Sequence, residues 1–143
     1  MVDLPDPALL TPIESEFWTP DGRPPVDAVA VVRGSPITGA KFLEHATRQA
    51  REYSLRGTNM ASLSVDMVLT DWPLWRILTE QLATYRRYAL VEVATLTAAD
   101  FEVLATGDPP HGDVVLPTLG IVDADRLAAL FAPHERRNRP RRR

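Results

Sequence analysis

The chain contains no cysteine, which excludes a disulfide framework, thiolate zinc sites, iron–sulfur clusters and a cysteine nucleophile together. A reducing, cytoplasmic setting is the simplest expectation. Lysine is almost as scarce, with Lys41 standing alone beside 15 arginines, a lopsidedness that GC-rich coding produces. The histidines are His45, His111 and His134, too few and too dispersed for the two or three clustered imidazoles of a catalytic zinc, so no metal is expected. No apolar run approaches the roughly 18 residues of a membrane span, and the N-terminal MVDLPDPALL is acidic where a secretory leader is basic. No membrane partner and no export by that route are expected. The Walker loop, GxGxxG, GxSxG, HExxH and the EF-hand loop are all missing, which argues against P-loop hydrolysis, Rossmann dehydrogenation and α/β-hydrolase chemistry.

What is present suits one globular domain: 143 residues, 45% apolar and 24% charged. Charge is distributed unevenly. The net charge is −3, but residues 135–143, ERRNRPRRR, carry +5, which leaves −8 on residues 1–134. The expected organisation is a Pro-rich extended arm over 1–25, a domain over 26–134 and a flexible Arg-rich tail over 135–143. Phe17 and Trp18 would anchor the arm by packing. The tail is a candidate for nucleic acid or an acidic protein surface, and a protein partner or homo-oligomer is the other expectation.

Hydrophobic periodicity predicts strands over 26–33, 62–69 and 88–94, a short helical turn at 97–100, and two strands, 101–106 and 113–117, flanking the loop GDPPHG. Helices are predicted over 39–55 with Thr38 as N-cap, over about 71–86 with Asp71 as cap and Trp75, Leu78, Leu82 and Tyr85 inward, and from Asp123 to Pro133. The expected fold is α/β or α+β: a single five-stranded mixed sheet with about three packed helices, in the order β-α-β-α-β-β-β-α.

Polar residues at strand ends supply the candidate chemistry. Arg33, before Gly34 at the end of an apolar strand, needs a carboxylate, a phosphate or solvent; an anion clamp is one reading and a salt bridge to Asp27 or Glu92 the other. Ser62 and Ser64 share one face of their strand and could grip a ribose or phosphate, or simply face solvent. Glu92, flanked by Leu90, Val91 and Val93, is the best carboxylate candidate for catalysis. His111, on a proline-stiffened loop, is the best general acid or base. Tyr85 and Tyr88 around Arg86 and Arg87 could stack on a base and contact phosphate, or pack inward with the arginines complementing the helix dipole.

The segments DAVAVVRG, SLSV and PHGDVVLP, spanning residues 27–117, resemble small actinobacterial proteins of toxin–antitoxin-like gene pairs. Arg33, Ser62 or Ser64, and Glu92 also bear a likeness to ADP-ribosyltransferases of the Arg-Ser-Glu type, although SLS replaces Ser-Thr-Ser and no Glu-x-Glu surrounds Glu92. That likeness would imply NAD; otherwise no cofactor is expected. The expectation is a small cytoplasmic toxin-type effector acting on RNA or a nucleotide cofactor, with His111 and Glu92 catalytic and Arg33, Ser62, Ser64 and Tyr88 binding substrate. The alternative is a non-catalytic interaction or regulatory module, antitoxin-like or an assembly partner, using its arm and tail.

Overall fold

The structure is a computed structural model that describes residues 24–139 except Val26. Phe17, Trp18 and most of the expected arm lie outside these residues, as do positions 140–143 of the expected tail. The elements are β1 (Ala30–Gly34), α1 (Gly39–Leu55), β2 (Ser62–Val68), α2 (Leu74–Glu80), β3 (Arg87–Glu92), α3 (Val93–Ala98), β4 (Glu102–Ala105), β5 (His111–Val115), α4 (Ile121–Phe131), a 3-10 turn (Ala132–His134) and β6 (Glu135–Arg137). None of the described helices is long and apolar enough to cross a membrane.

The strands form one six-stranded sheet in the order β4-β5-β2-β1-β3-β6, and every neighbouring pair is antiparallel. The expected five-stranded mixed sheet is therefore corrected on both count and direction. Amphipathic period specifies which face a helix buries, not the end of the sheet to which the chain returns. The connection through α1 brings the chain back antiparallel beside β1, and the one through α2 crosses over β1 to its other side, where β3 pairs with it antiparallel. The sixth strand, Glu-Arg-Arg, has no apolar alternation to announce it; main-chain pairing to β3 places it, with Arg87 opposite Arg137 and Tyr88 opposite Arg136. Residues 135–137, expected to be tail, thus form a sheet edge.

Local chemistry explains the helices. Thr38 Oγ1 accepts from the Lys41 N–H at 3.2 Å to start α1. Its end is a Schellman arrangement: Gly57, at φ +83°, donates to Ser54 and Thr58 donates to Tyr53. The second helix is shorter than periodicity predicts, ending at Glu80 and starting from Pro73 without a side-chain cap. Trp75 points outward at 66% exposed, while Ile77 is buried.

The main core gathers Phe42 and Ala46 of α1, Leu127 and Phe131 of α4, and Val31, Leu63, Val65, Met67, Val91 and Val114 of the sheet. The Phe42 and Phe131 rings meet edge to face, 5.7 Å between centroids. A second cluster sets Val32 against Ile77 and Leu82. The helices α1 and α4 approach closely at Gly39, where an added Cβ would lie 1.7 Å from Asp125 Oδ1 and 2.9 Å from its Cα. Gly39→Ala should therefore lose about 1–3 kcal/mol despite alanine's better helix propensity, because backbone must move. Urea denaturation measures this, and an unchanged or raised midpoint would contradict the close approach.

Candidate functional site

The site begins where the β1–β2 ladder stops. Pairing runs from Ala30 opposite Val68 to Val32 opposite Asp66, whereas β2 continues along β5 to Ser62 opposite Val115. Beyond Val32, Arg33 takes over: its Nη1 donates to the Ser64 carbonyl at 2.7 Å and its Nη2 bonds to His45 Nδ1. The guanidinium lies 5.5 Å from the Phe42 ring centroid. Its Nε is buried with no partner among the described residues.

Among the described residues no carboxylate lies within ion-pairing distance of Arg33. Asp27, offered as a salt-bridge partner, instead accepts from the Thr70 N–H at 2.7 Å. Glu92 stands opposite Ala30, while Arg33 stands opposite Ala89; three strand positions, about 10 Å, separate them. Burial holds the Arg33 pKa below its ordinary value, with Tyr85 and Asp66 acting the other way.

A cleft of about 350 Å³ opens here, lined by Arg33, His45, Arg48, Gln49, Glu52, Ser64 and Tyr85. Tyr85 lies directly on Gly34: an added Cβ would be 2.2 Å from its ring, so only glycine admits the ring so close to the strand. Since His45 Nδ1 accepts from Arg33, its proton resides on Nε2, 3.9 Å from Glu44. Burial, then the positive charges of Arg33 and Arg48, lower its pKa and favour the neutral ring.

Beneath the cleft runs a closed polar network. Gln49 Oε1 accepts from Ser64 Oγ, and its Nε2 donates to Ser62 Oγ at 2.9 Å and to Asp113 Oδ1 at 3.0 Å. Tyr53 and Ser62 donate to Asp113 Oδ2. Asp113 is wholly buried. Desolvation pushes its pKa up against the pull of Tyr53, His111, Gln49 and Ser62.

Arg33, Ser64 and, through Gln49, Ser62 are thus brought together. The other candidates are placed differently. His111 is the first residue of β5 rather than a loop residue, opposite Asp66, with Nδ1 at 2.7 Å from Thr106 Oγ1. Glu92 is exposed at the start of α3, and Tyr88 packs against the Val32–Ile77–Leu82 cluster. Sequence reasoning missed His45, Gln49 and Tyr53. Their spacing of four was the available signal, a polar stripe beside the apolar stripe of α1. Among the described residues no cluster of His, Asp and Glu has the form of a metal site.

Comparison with protein-family models, with curated proteins and with solved structures gives no match. The functional reading therefore rests on this geometry.

The raised Asp113 pKa has a thermodynamic sign. The native state holds this proton more tightly than the unfolded chain, so its contribution is fully present below the unfolded value of about 4 and is lost as pH rises through the native value. In urea titrations across pH, Asp113→Asn should gain stability relative to wild type from about pH 4 upward. A stability difference independent of pH would contradict the shift.

Proposed function

We propose that the chain is a small cytoplasmic binding module that takes a phosphate-bearing ligand of nucleotide type, RNA or a free nucleotide, in the Arg33 cleft. The observation that carries this reading is the guanidinium of Arg33: largely buried, bonded to two neutral acceptors, with a buried Nε left over and no carboxylate at ion-pairing distance among the described residues. A buried cation without a counter-ion is costly, and a phosphate entering the cleft would offset that cost with charge-assisted bonds. Arg48 at the mouth adds positive charge, and Tyr85, 42% exposed, offers a ring face for a base.

Recognition is better supported than catalysis. The proposed catalytic pair, His111 and Glu92, does not line the cleft, and His45 already accepts a bond from Arg33. Binding an effector's nucleotide or RNA target fits the arrangement; the one carboxylate lining the cleft, Glu52, is exposed and lies on α1 with no acid partner beside it in the lining.

Calorimetric titration tests the reading. A nucleoside monophosphate should bind measurably and the parent nucleoside at least about tenfold more weakly, a difference of about 1.4 kcal/mol. Arg48→Ala should weaken the monophosphate several-fold. Arg33→Gln should abolish binding while circular dichroism shows a folded chain with undiminished Tm, since the substitution removes an unpaired buried charge. Equal affinity for nucleoside and monophosphate, or full binding by folded Arg33→Gln, would overturn the proposal.

A further inference from the structure

We infer that the Arg33 cleft is one end of a longer track for single-stranded nucleic acid, which continues past Tyr85 along the arginine-bearing edge formed by β3 and β6. This rests on the cleft reading above and extends it from a single nucleotide to a polynucleotide.

Continuity is the first argument. Tyr85 lines the Arg33 cleft and also a neighbouring recess of about 590 Å³, whose other walls include Ser35, Arg86, Arg87 and Glu135. The backbone joins the two. Gly34 is opposite Tyr88, the Ser35 N–H donates to the Arg87 carbonyl at 3.0 Å, and Tyr88 is opposite Arg136 on the outermost strand. Two strand spacings, about 10 Å, separate the strand of Arg33 from that of Arg136.

Charge is the second. Arg86, Arg87, Arg136, Arg137 and Arg139 are all exposed, and Arg87 stands directly opposite Arg137, a like-charge pairing that disfavours the sheet. Glu135 relieves part of it by accepting from Arg87 at 3.0 Å and from Ser35 at 2.8 Å. Arg86, Arg136, Arg137 and Arg139 have no carboxylate partner among the described residues. Arginine on an edge strand does discourage strand addition, but that purpose does not require arginines on the 85–87 segment as well. A chain of phosphates complements both positions.

Rigidity is the third. Asn138 is buried and ties the end of β6 to the segment carrying the aromatic ring: its Nδ2 donates to the carbonyls of Leu82 at 2.9 Å and Tyr85 at 3.0 Å, and its N–H donates to that of Arg86 at 2.8 Å. Phosphate-binding edge and base-stacking ring are held as one unit. A single strand exposes the base faces such a ring can use; a duplex hides them.

Fluorescence anisotropy of the full chain with labelled oligouridylate of about 12 nucleotides tests the track. The oligonucleotide should bind at least tenfold more tightly than the mononucleotide, with a log–log salt slope near −3 if about four phosphates are neutralised. The double variant Arg136→Gln/Arg137→Gln should weaken it about tenfold and flatten the slope by about 1.4, leaving mononucleotide affinity unchanged. Arg86→Gln, outside the sheet, gives the same direction should the edge variant misfold. The matching DNA oligomer distinguishes the two single-strand chemistries; binding of either supports the track.

If the mononucleotide binds but the oligomer binds no more tightly, the track falls and the cleft reading stands. If the oligomer binds through the edge while the mononucleotide does not bind at all, the cleft reading falls and the joined track with it. Equal competition by duplex DNA, or by polyglutamate as a stand-in for an acidic protein, overturns the single-strand assignment.

Discussion

The early end of the β1–β2 ladder is the constraint on which the rest depends. After Val32 opposite Asp66, β1 no longer pairs with β2, although β2 continues along β5 for four further residues, Ser62–Val65. A central strand that loses a neighbour must still satisfy its polar groups. Here Arg33 meets that need for one main-chain group, and the side chains of α1 bond the polar side chains beside it. Arg33 bonds the Ser64 carbonyl, Gln49 bridges Ser62, Ser64 and Asp113, and Tyr53 closes on Asp113. The cleft exists because side chains rather than a strand complete the sheet at this point, and side chains leave room.

The two halves of this arrangement differ energetically. Asp113 is wholly buried but surrounded by donors, with Gln49 turned so that both its amide and its carbonyl are used; a fully connected buried network of this kind fixes one geometry of α1 against the sheet. Arg33 is the opposite case. Its partners are neutral, its Nε has none, and desolvation weakens its hold on its proton. The Ser64 carbonyl needs a donor here, but a neutral donor would serve that need without burying a charge that no ion pair offsets among the described residues. A local rule broken in the middle of an otherwise consistent core is where a functional demand is expected to act, and this is what supports the proposed recognition role.

Much of the fold was legible because its core follows simple periods. Leu63, Val65 and Met67 alternate with Ser62, Ser64 and Asp66 in sequence and on opposite faces of β2, and Phe42 and Ala46 repeat at four residues on α1. Thr38 and Gly57 marked the ends of that helix by chemistry that operates locally. Strand direction was not legible, since it depends on where a helix lands rather than on what it is made of. Nor was β6, whose Glu135–Arg137 are held by main-chain bonds that carry no compositional trace. At the site, Arg33 and Ser64 could be named from their positions near strand ends. Their partner helix could not, because Gln49 and Tyr53 look like ordinary solvent-facing and core-facing residues until the missing stretch of ladder gives them a task. Glu92 and His111 show the converse: a carboxylate among apolar residues and a histidine after prolines look constrained in sequence, and the structure places one exposed at a helix start and ties the other to Thr106.

The charge distribution completes the physical picture. A net charge of −3 would repel phosphates on average, but screening confines each charge to about 8–10 Å at physiological ionic strength, so what a ligand meets is local. Locally, the end of β1, the 85–87 segment and β6 present arginines, with Glu135 already engaged by Ser35 and Arg87. Glu44 is likewise engaged by Lys41, Arg48 and His45. Glu135 and Glu44 are thus paired on this side, while Glu52 lines the cleft beside Arg48 and offsets part of its positive charge. The same antiparallel order that puts β6 beside β3 therefore puts a cationic edge within two strands of the largely buried Arg33 guanidinium. Topology, rather than any single motif, makes these arginines neighbours.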